Sequence, residues 1–189
     1  MAYIIGISGN MGAGKSTLAL ALAKNLHASL LSWDDFDDLS VSPPDYIAWY
    51  KRGQDYSEWN YQCLAETLAR LKLGKLVAHP ALNTLIKPTA FIIFDAPLGR
   101  FHKQTGTYID TWIHINTPLD VSLCRWLLRD YSSIHKSKSE LLDELKFYLD
   151  ESRPLFDDSA FRAEADLIIN GLLATEQQVD IVKEKILTT

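Results

Sequence analysis

The chain has 189 residues, 47% of them hydrophobic, and a formal net charge of −5 at pH 7. That length reads most simply as one domain over residues 1–189, with apolar content enough for a full core. The acidic excess argues against a general nucleic-acid binder, which needs basic patches to neutralise phosphates, and no apolar run approaches the ~20 residues of a membrane span.

In chain order, Tyr3 to Ser8 is a short apolar run of the kind that forms a strand buried on both faces. It feeds Gly9-Asn10-Met11-Gly12-Ala13-Gly14-Lys15-Ser16, which fits the phosphate-loop pattern G-x-x-x-x-G-K-[ST], and Ser16 to Leu26 reads as the helix that must follow. Glycines let the backbone curl until several N–H groups face phosphate oxygens, and the helix N-terminus adds partial positive charge. Gly9 through Ser16, with Thr17, are therefore candidate nucleotide-binding residues: Lys15 reaches the outer phosphates and Ser16 is a Mg2+ ligand. The expected cofactors are ATP and Mg2+.

The helix runs about 15 Å away from the loop, and the strand Ser29 to Trp33 returns by about 17 to 20 Å. This brings Asp34 level with the loop. The stretch Asp34-Asp35-Phe36-Asp37-Asp38 supplies carboxylates for a phosphoryl transfer, in which one of them orients the acceptor hydroxyl and takes its proton. Asp34 is the candidate base, and Asp35 or Asp37 can share the role, meet water or cap the next segment. Ser40 to Pro44 reads as one loop. From Pro43 to Tyr61 aromatics are dense (Tyr46, Trp49, Tyr50, Tyr56, Trp59, Tyr61), and core packing is their default reading.

Tyr61 to Leu73 is a helical pattern with Gly74 as its C-cap. Phe91 to Phe94 is an apolar strand ending in Asp95, the form of a Walker B element whose carboxylate holds Mg2+ directly or through water. Ala96-Pro97 follows, so the carboxylate that would orient a hydrolytic water is missing, and transfer to another molecule is favoured over hydrolysis. No N-K-x-D, D-x-x-G or L-S-G-G-Q motif supports a GTPase or transporter ATPase.

Thr111 to Ile115 is a further strand. Thr117-Pro118 with Asp120 opens a helix to Asp130, on which Arg125 and Arg129 share a face. The polar run Ser132 to Ser139 suits a lid over residues 131–139, or an ordinary exposed loop. Lys138 to Glu151 and Glu176 to Leu187 are helical patterns flanking the strand Leu167 to Ile169. Cys63 and Cys124 lack metal-ligand spacing and read as buried free thiols; with no secretory leader recognised, a cytoplasmic, reducing location is expected.

Strand and helix alternation with right-handed crossovers implies an α/β fold. The expectation is a three-layer P-loop NTPase architecture, nucleoside- or nucleotide-kinase-like, with a parallel sheet of about five strands and helices on both faces. Its site lies beyond the carboxyl ends of the strands.

Ile4-Ile5-Gly6-Ile7-Ser8-Gly9, the phosphate loop, Ser32-x-Asp34-Asp35-Phe36 and Arg125-x-x-x-Arg129-Asp130 resemble the uridine kinase and nicotinamide riboside kinase group. Asp55-Tyr56-Ser57-Glu58-Trp59, Leu64-Ala65-Glu66-Thr67-Leu68 and Ala165-Asp166-Leu167-Ile168-Ile169 are also similar to that group. The resemblance implies phosphorylation of a primary hydroxyl on a small nucleoside-like acceptor, with Asp34 as base and Asp55 on ribose hydroxyls. It implies that Arg125 and Arg129 reach the transferring phosphates, although a simple antiparallel crossover helix would carry them away. It also marks residues 36–62 as an acceptor-binding insertion in which Tyr46, Trp49 and Arg52 are candidates. The family's base-contact segment before Asp95 has only His79-Pro80 as a counterpart, and its arginine-rich lid is replaced by Tyr131 to Lys138.

Asp95-Ala96-Pro97-Leu98 is also similar to dephospho-coenzyme A kinase, whose acceptor carries phosphates. Lys51, Arg52, Arg100 and His102 would then meet a phosphorylated acceptor. A third reading, from another class, is an ATP-binding regulatory module without transfer. The sequence specifies no oligomeric state.

Overall fold

The computed structural model describes residues 1–133 and 136–187. Its first strand, β1 (Tyr3–Gly9), enters the phosphate loop and is followed by α1 (Lys15–Asn25) and β2 (Ser29–Ser32). Trp33 is not part of β2: its φ of −58° and ψ of −47° turn the chain into a 3-10 segment over Asp34–Leu39. Short elements fill the aromatic stretch, namely α2 (Tyr46–Lys51) and a 3-10 turn at Tyr56–Glu58.

α3 (Gln62–Lys72) ends as expected. Gly74 takes φ +74°, and the N–H groups of Gly74 and Lys75 close on the carbonyls of Leu71 and Arg70. A two-stranded antiparallel hairpin follows, β3 (Val77–Ala78) with β4 (Leu85–Ile86). The chain continues through β5 (Phe91–Asp95), α4 (Lys103–Gly106), β6 (Thr111–Asn116) and α5 (Leu119–Ser133). It ends with α6 (Lys138–Phe147), α7 (Ser159–Glu164), β7 (Leu167–Asn170) and α8 (Thr175–Leu187). The helix expected over Lys138 to Glu151 stops at Phe147 and passes into a π-turn at Tyr148–Ser152, then a 3-10 turn at Arg153–Phe156.

The main sheet is parallel throughout, in the order β2-β5-β1-β6-β7. Side chains alternate across its two faces. Ile4, Ile92, Phe94 and Trp112 join Leu64, Leu68 and Leu71 of α3 in one core. Ile5, Ile7, Ile93, Ile113 and Ile115 join Leu18 and Leu22 of α1 and Val179 and Val182 of α8 in the other. Two buried faces explain why these strands read as continuous apolar runs rather than alternating ones.

Register then sets the site. Ile7 pairs with Asp95 and Asp95 with Ser32, so the phosphate loop, Asp95 and Asp34 all leave the sheet at one edge. At the other edge Asp110 and Asp166 accept from the N–H groups of Ile4 and Trp112 at 2.8 and 2.7 Å, pinning the strand starts. Both cysteines are free thiols, but Cys124 is exposed on α5, which does not lie flat on the sheet; the expected burial holds only in part for Cys63.

Candidate active site

Gly12 and Gly14 take φ of +77° and +106°, the left-handed turns that let the loop fold back over the start of α1. Lys15 closes the curl. Its Nζ donates to the carbonyls of Gly9 and Asn10 at 2.9 and 3.1 Å. Burial pushes the Lys15 ammonium below its ordinary pKa, opposed by the carboxylates of Asp95 and Asp34.

Ser16 and Asp95 meet across the sheet edge, with Ser16 Oγ donating to Asp95 Oδ2 at 2.8 Å. The second oxygen, Oδ1, is buried and has no hydrogen-bond partner among the described residues. An orphaned carboxylate oxygen beside a loop hydroxyl fits a divalent cation. No group of three His, Cys, Asp or Glu side chains forms a cage among the described residues, and Mg2+ typically takes one or two protein ligands with the rest from water and phosphate. Burial raises the Asp95 pKa, against the pull of Lys15 and the Ser16 hydrogen bond.

Asp34 opens the 3-10 segment after β2 and faces the same cleft, a space of about 590 Å³ lined by loop residues 11–17, Asp95, Pro97, Arg125 and Arg129. Its pKa is raised first by burial and next by the Asp37 charge, with Lys15 pulling the other way. Arg129 is close enough for its charge to act on both Asp34 and Lys15. The two other carboxylates have partners of their own. Asp37 accepts from the Tyr61 hydroxyl at 2.6 Å; burial, and next this bond, push that phenol up to about 12. Asp35 stands 3.5 Å from His79 Nε2.

Arg129 keeps its place because α5 lies across the phosphate loop instead of descending antiparallel to the sheet. A Cβ on Gly12 would sit 2.0 Å from the Ser122 carbonyl oxygen. The Thr117 hydroxyl donates to the Ala13 carbonyl at 3.0 Å, tying the start of α5 to the loop. From the other side, Asn10 Nδ2 donates to the Phe156 carbonyl at 3.0 Å. Arg125 shares the cleft wall, but its Nη1 donates to the Gly171 carbonyl at 3.1 Å, beside the turn after β7.

The other acceptor candidates are not on this cleft. Asp55 accepts from the Ser57 N–H at 2.9 Å and caps its own 3-10 turn. Trp49 is buried, its Nε1 donating to the Asp55 carbonyl, and Tyr46 is half-exposed and stacked on Trp59 with centroids 5.2 Å apart. Arg52 is paired with Glu58. Arg100 grips Asp166 at 2.6 and 3.0 Å and the Asp110 carbonyl at 2.9 Å, at the opposite edge of the sheet. His102 is buried between Thr105 and the Trp59 carbonyl.

Of the lid candidate 131–139, Ile134 and His135 lie outside the described residues. Residues 131–133 continue α5, and Ser137 forms a capping box with Glu140 at the start of α6.

Sequence reasoning missed Pro97 and the wall formed by Gly171, Leu173, Thr175 and Gln178. The rule that ligands sit beyond strand carboxyl ends applies to the turn after β7 as much as to the one after β1, and that signal would have found the wall. It also missed His114, buried beneath the loop between Ser8 Oγ at 2.9 Å and Asp158 Oδ2 at 3.0 Å; burial holds its pKa low against the Asp158 carboxylate.

No family model matches the chain. A uridine kinase of Halobacterium salinarum is 25% identical, the match spanning 97% of this chain and 86% of that one. A uridine kinase of Staphylococcus aureus strain JH9 is 26% identical over 97% of this chain and 94% of its own. Among solved structures, a shikimate kinase from Bacteroides thetaiotaomicron matches with a TM-score of 0.51 at 19% identity, covering 97% and 98% of the two chains. A sugar kinase from a Janibacter species matches with a TM-score of 0.52 at 19% identity, covering 96% and 92%. The chain thus has the fold of the phosphate-loop kinases, resembles the uridine kinases over nearly its whole length, and is a phosphotransferase of that class acting on a hydroxyl group.

Proposed function

We propose that this protein transfers the γ-phosphoryl group of ATP to a hydroxyl of a small, unphosphorylated, nucleoside-like acceptor of the uridine, cytidine or nicotinamide riboside type, in a cytoplasmic setting suited to its two free thiols. The observation that carries the reading is the meeting of Lys15, Asp95, Arg129 and Asp34 on one cleft, with Ala96-Pro97 where a water-orienting carboxylate would stand. The loop N–H groups and Lys15 bind the phosphates once Lys15 leaves the Gly9 and Asn10 carbonyls. Ser16 and Asp95 hold Mg2+, which when bound neutralises charge on the phosphate oxygens.

Asp34 orients the acceptor hydroxyl and takes its proton as that oxygen bonds to the γ-phosphorus and ADP departs. A carboxylate whose pKa is raised holds that proton more readily than an ordinary one. Arg129 offsets the charge that develops on the transferring group.

The phosphorylated-acceptor reading has less behind it. Arg52 is occupied by Glu58, Arg100 by Asp166, and His102 by Thr105 and the Trp59 carbonyl. The test is ATP consumption against a panel of nucleosides, other ribosides and phosphorylated acceptors, with Lys15→Ala as the blank. Turnover with an unphosphorylated nucleoside or riboside supports the proposal. Turnover only with a phosphorylated acceptor, or tight ATP binding with no transfer to any, overturns it.

A further inference from the structure

At the Arg125 end of the cleft, the turn after β7 and the first turns of α8 form a wall that the transfer chemistry does not use. Gln178 lines it with only 7% of its surface exposed. Its Nε2 donates to the Leu173 carbonyl at 2.9 Å. That bond decides which way round the amide stands: a carbonyl only accepts, so the NH2 group must face Leu173 and Oε1 must face away. Oε1 has no hydrogen-bond partner among the described residues.

The frame that holds this oxygen is fixed at both ends. The Leu173 N–H donates to the Asn170 carbonyl at 3.2 Å, and the Gln178 N–H to the Ala174 carbonyl at 3.1 Å. The neighbouring Gly171 carbonyl is already taken by Arg125. The wall therefore offers an orientation-locked acceptor on a nearly buried side chain, in the same cleft as the Arg125 guanidinium.

We propose that Gln178 Oε1 reads the purine of the phosphoryl donor, selecting a 6-amino purine over a 6-oxo purine. The inference rests on the donor reading above. An amine at C6 donates to Oε1. A 6-oxo group instead sets one acceptor against another, and burying that mismatch costs affinity. Rotating the amide does not rescue it, because Oε1 would then face the Leu173 carbonyl. Arg125 stacks on either purine and adds affinity without choosing between them.

The experiment measures binding of the Mg2+ complexes of ATP, inosine triphosphate and GTP to the whole chain, by competition against a fluorescent ribose-modified ATP. ATP is expected to bind about tenfold or more tighter than inosine triphosphate, the ratio set by one mismatched buried hydrogen bond. N6,N6-dimethyl-ATP, which has no amine hydrogen, is expected to bind as weakly as inosine triphosphate; this arm needs no variant. In Gln178→Met, checked for folding by its thermal transition, ATP weakens, inosine triphosphate does not, and the ratio falls to within about threefold.

Equal binding of ATP and inosine triphosphate by the unaltered protein overturns the inference and leaves the donor reading standing. So does an unchanged ratio in folded Gln178→Met. GTP binding as tightly as ATP while inosine triphosphate does not would mean the 2-amino group is read, and also overturns it. If none of the triphosphates binds, both readings fall.

Discussion

The two sides of this molecule's chemistry are built from different materials. The phosphate-loop side is mostly backbone: left-handed glycines, a helix start, and Lys15 held by the Gly9 and Asn10 carbonyls. The segment from Trp33 to Tyr61 is mostly side chain. Trp33 lies 3.9 Å from Tyr61, and Trp49 and Tyr46 both pack on Trp59, centroid to centroid at 5.8 and 5.2 Å. Backbone geometry needs particular residues at particular spacings, whereas a ring cluster can be filled in many ways, so the first leaves a motif and the second leaves only a composition.

Four measurements would break or sharpen that contrast. The largest effect is expected from Asp34→Asn, which should lower transfer by about 10²- to 10⁴-fold while ATP binding holds; intact transfer would remove Asp34 from the chemistry. Next, Gly12→Ala should destabilise the ligand-free protein by about 1 to 3 kcal/mol in urea, because the new methyl meets the Ser122 carbonyl in a left-handed backbone. An unshifted urea midpoint would mean that α5 does not press on the loop.

The third effect is a pH dependence. A carboxyl whose folded pKa lies above its unfolded value adds stability that is fully present below the unfolded value and lost as pH rises through the folded one. Asp34 is such a group, raised from 3.8. Ligand-free Asp34→Asn should therefore match the parent in stability below pH 3.8 and exceed it increasingly as pH rises toward neutral; a constant difference across that range would contradict the buried-charge account. The smallest is Arg100→Ala, expected to cost about 1 kcal/mol of stability through its half-exposed pair with Asp166, with the acceptor KM unmoved. A raised KM would return Arg100 to the acceptor side.

How much was legible follows the same division. Continuous apolar runs separated by helical patterns gave the parallel sheet, and helix and strand lengths brought Asp34 level with the loop; the pairing of Ser32 with Asp95 and of Asp95 with Ile7 is visible only in the fold. The loop with Ser16 was readable because its eight-residue motif is complete, and Asp95 and Asp34 because they fall at or just after strand ends. Arg100 was not, because a guanidinium soon after Asp95 looks the same in sequence whether it faces a ligand or Asp166. Asp55 was similarly ambiguous between an acceptor contact and a cap on the Ser57 N–H. Arg125 and Arg129 share a helix face, yet only the crossing of α5 over Gly12 separates them into one near Asp34 and one at Gly171. The strand-end rule marks the turn after β7, but Gln178 itself was invisible because an amide on an amphipathic helix carries no motif.

The clamps on the phosphate loop bear on the order in which this chain becomes competent. The eight-residue motif is complete by Ser16, and its metal partner by Asp95. Yet the loop's shape leans on Thr117, Ser122 and Phe156, and so on residues made long after it. A growing chain that has emerged as far as Asp95 carries every letter of the motif without the struts that hold it. Nucleotide binding should therefore be among the last properties acquired during synthesis, and a short amino-terminal fragment bearing the motif should not have it.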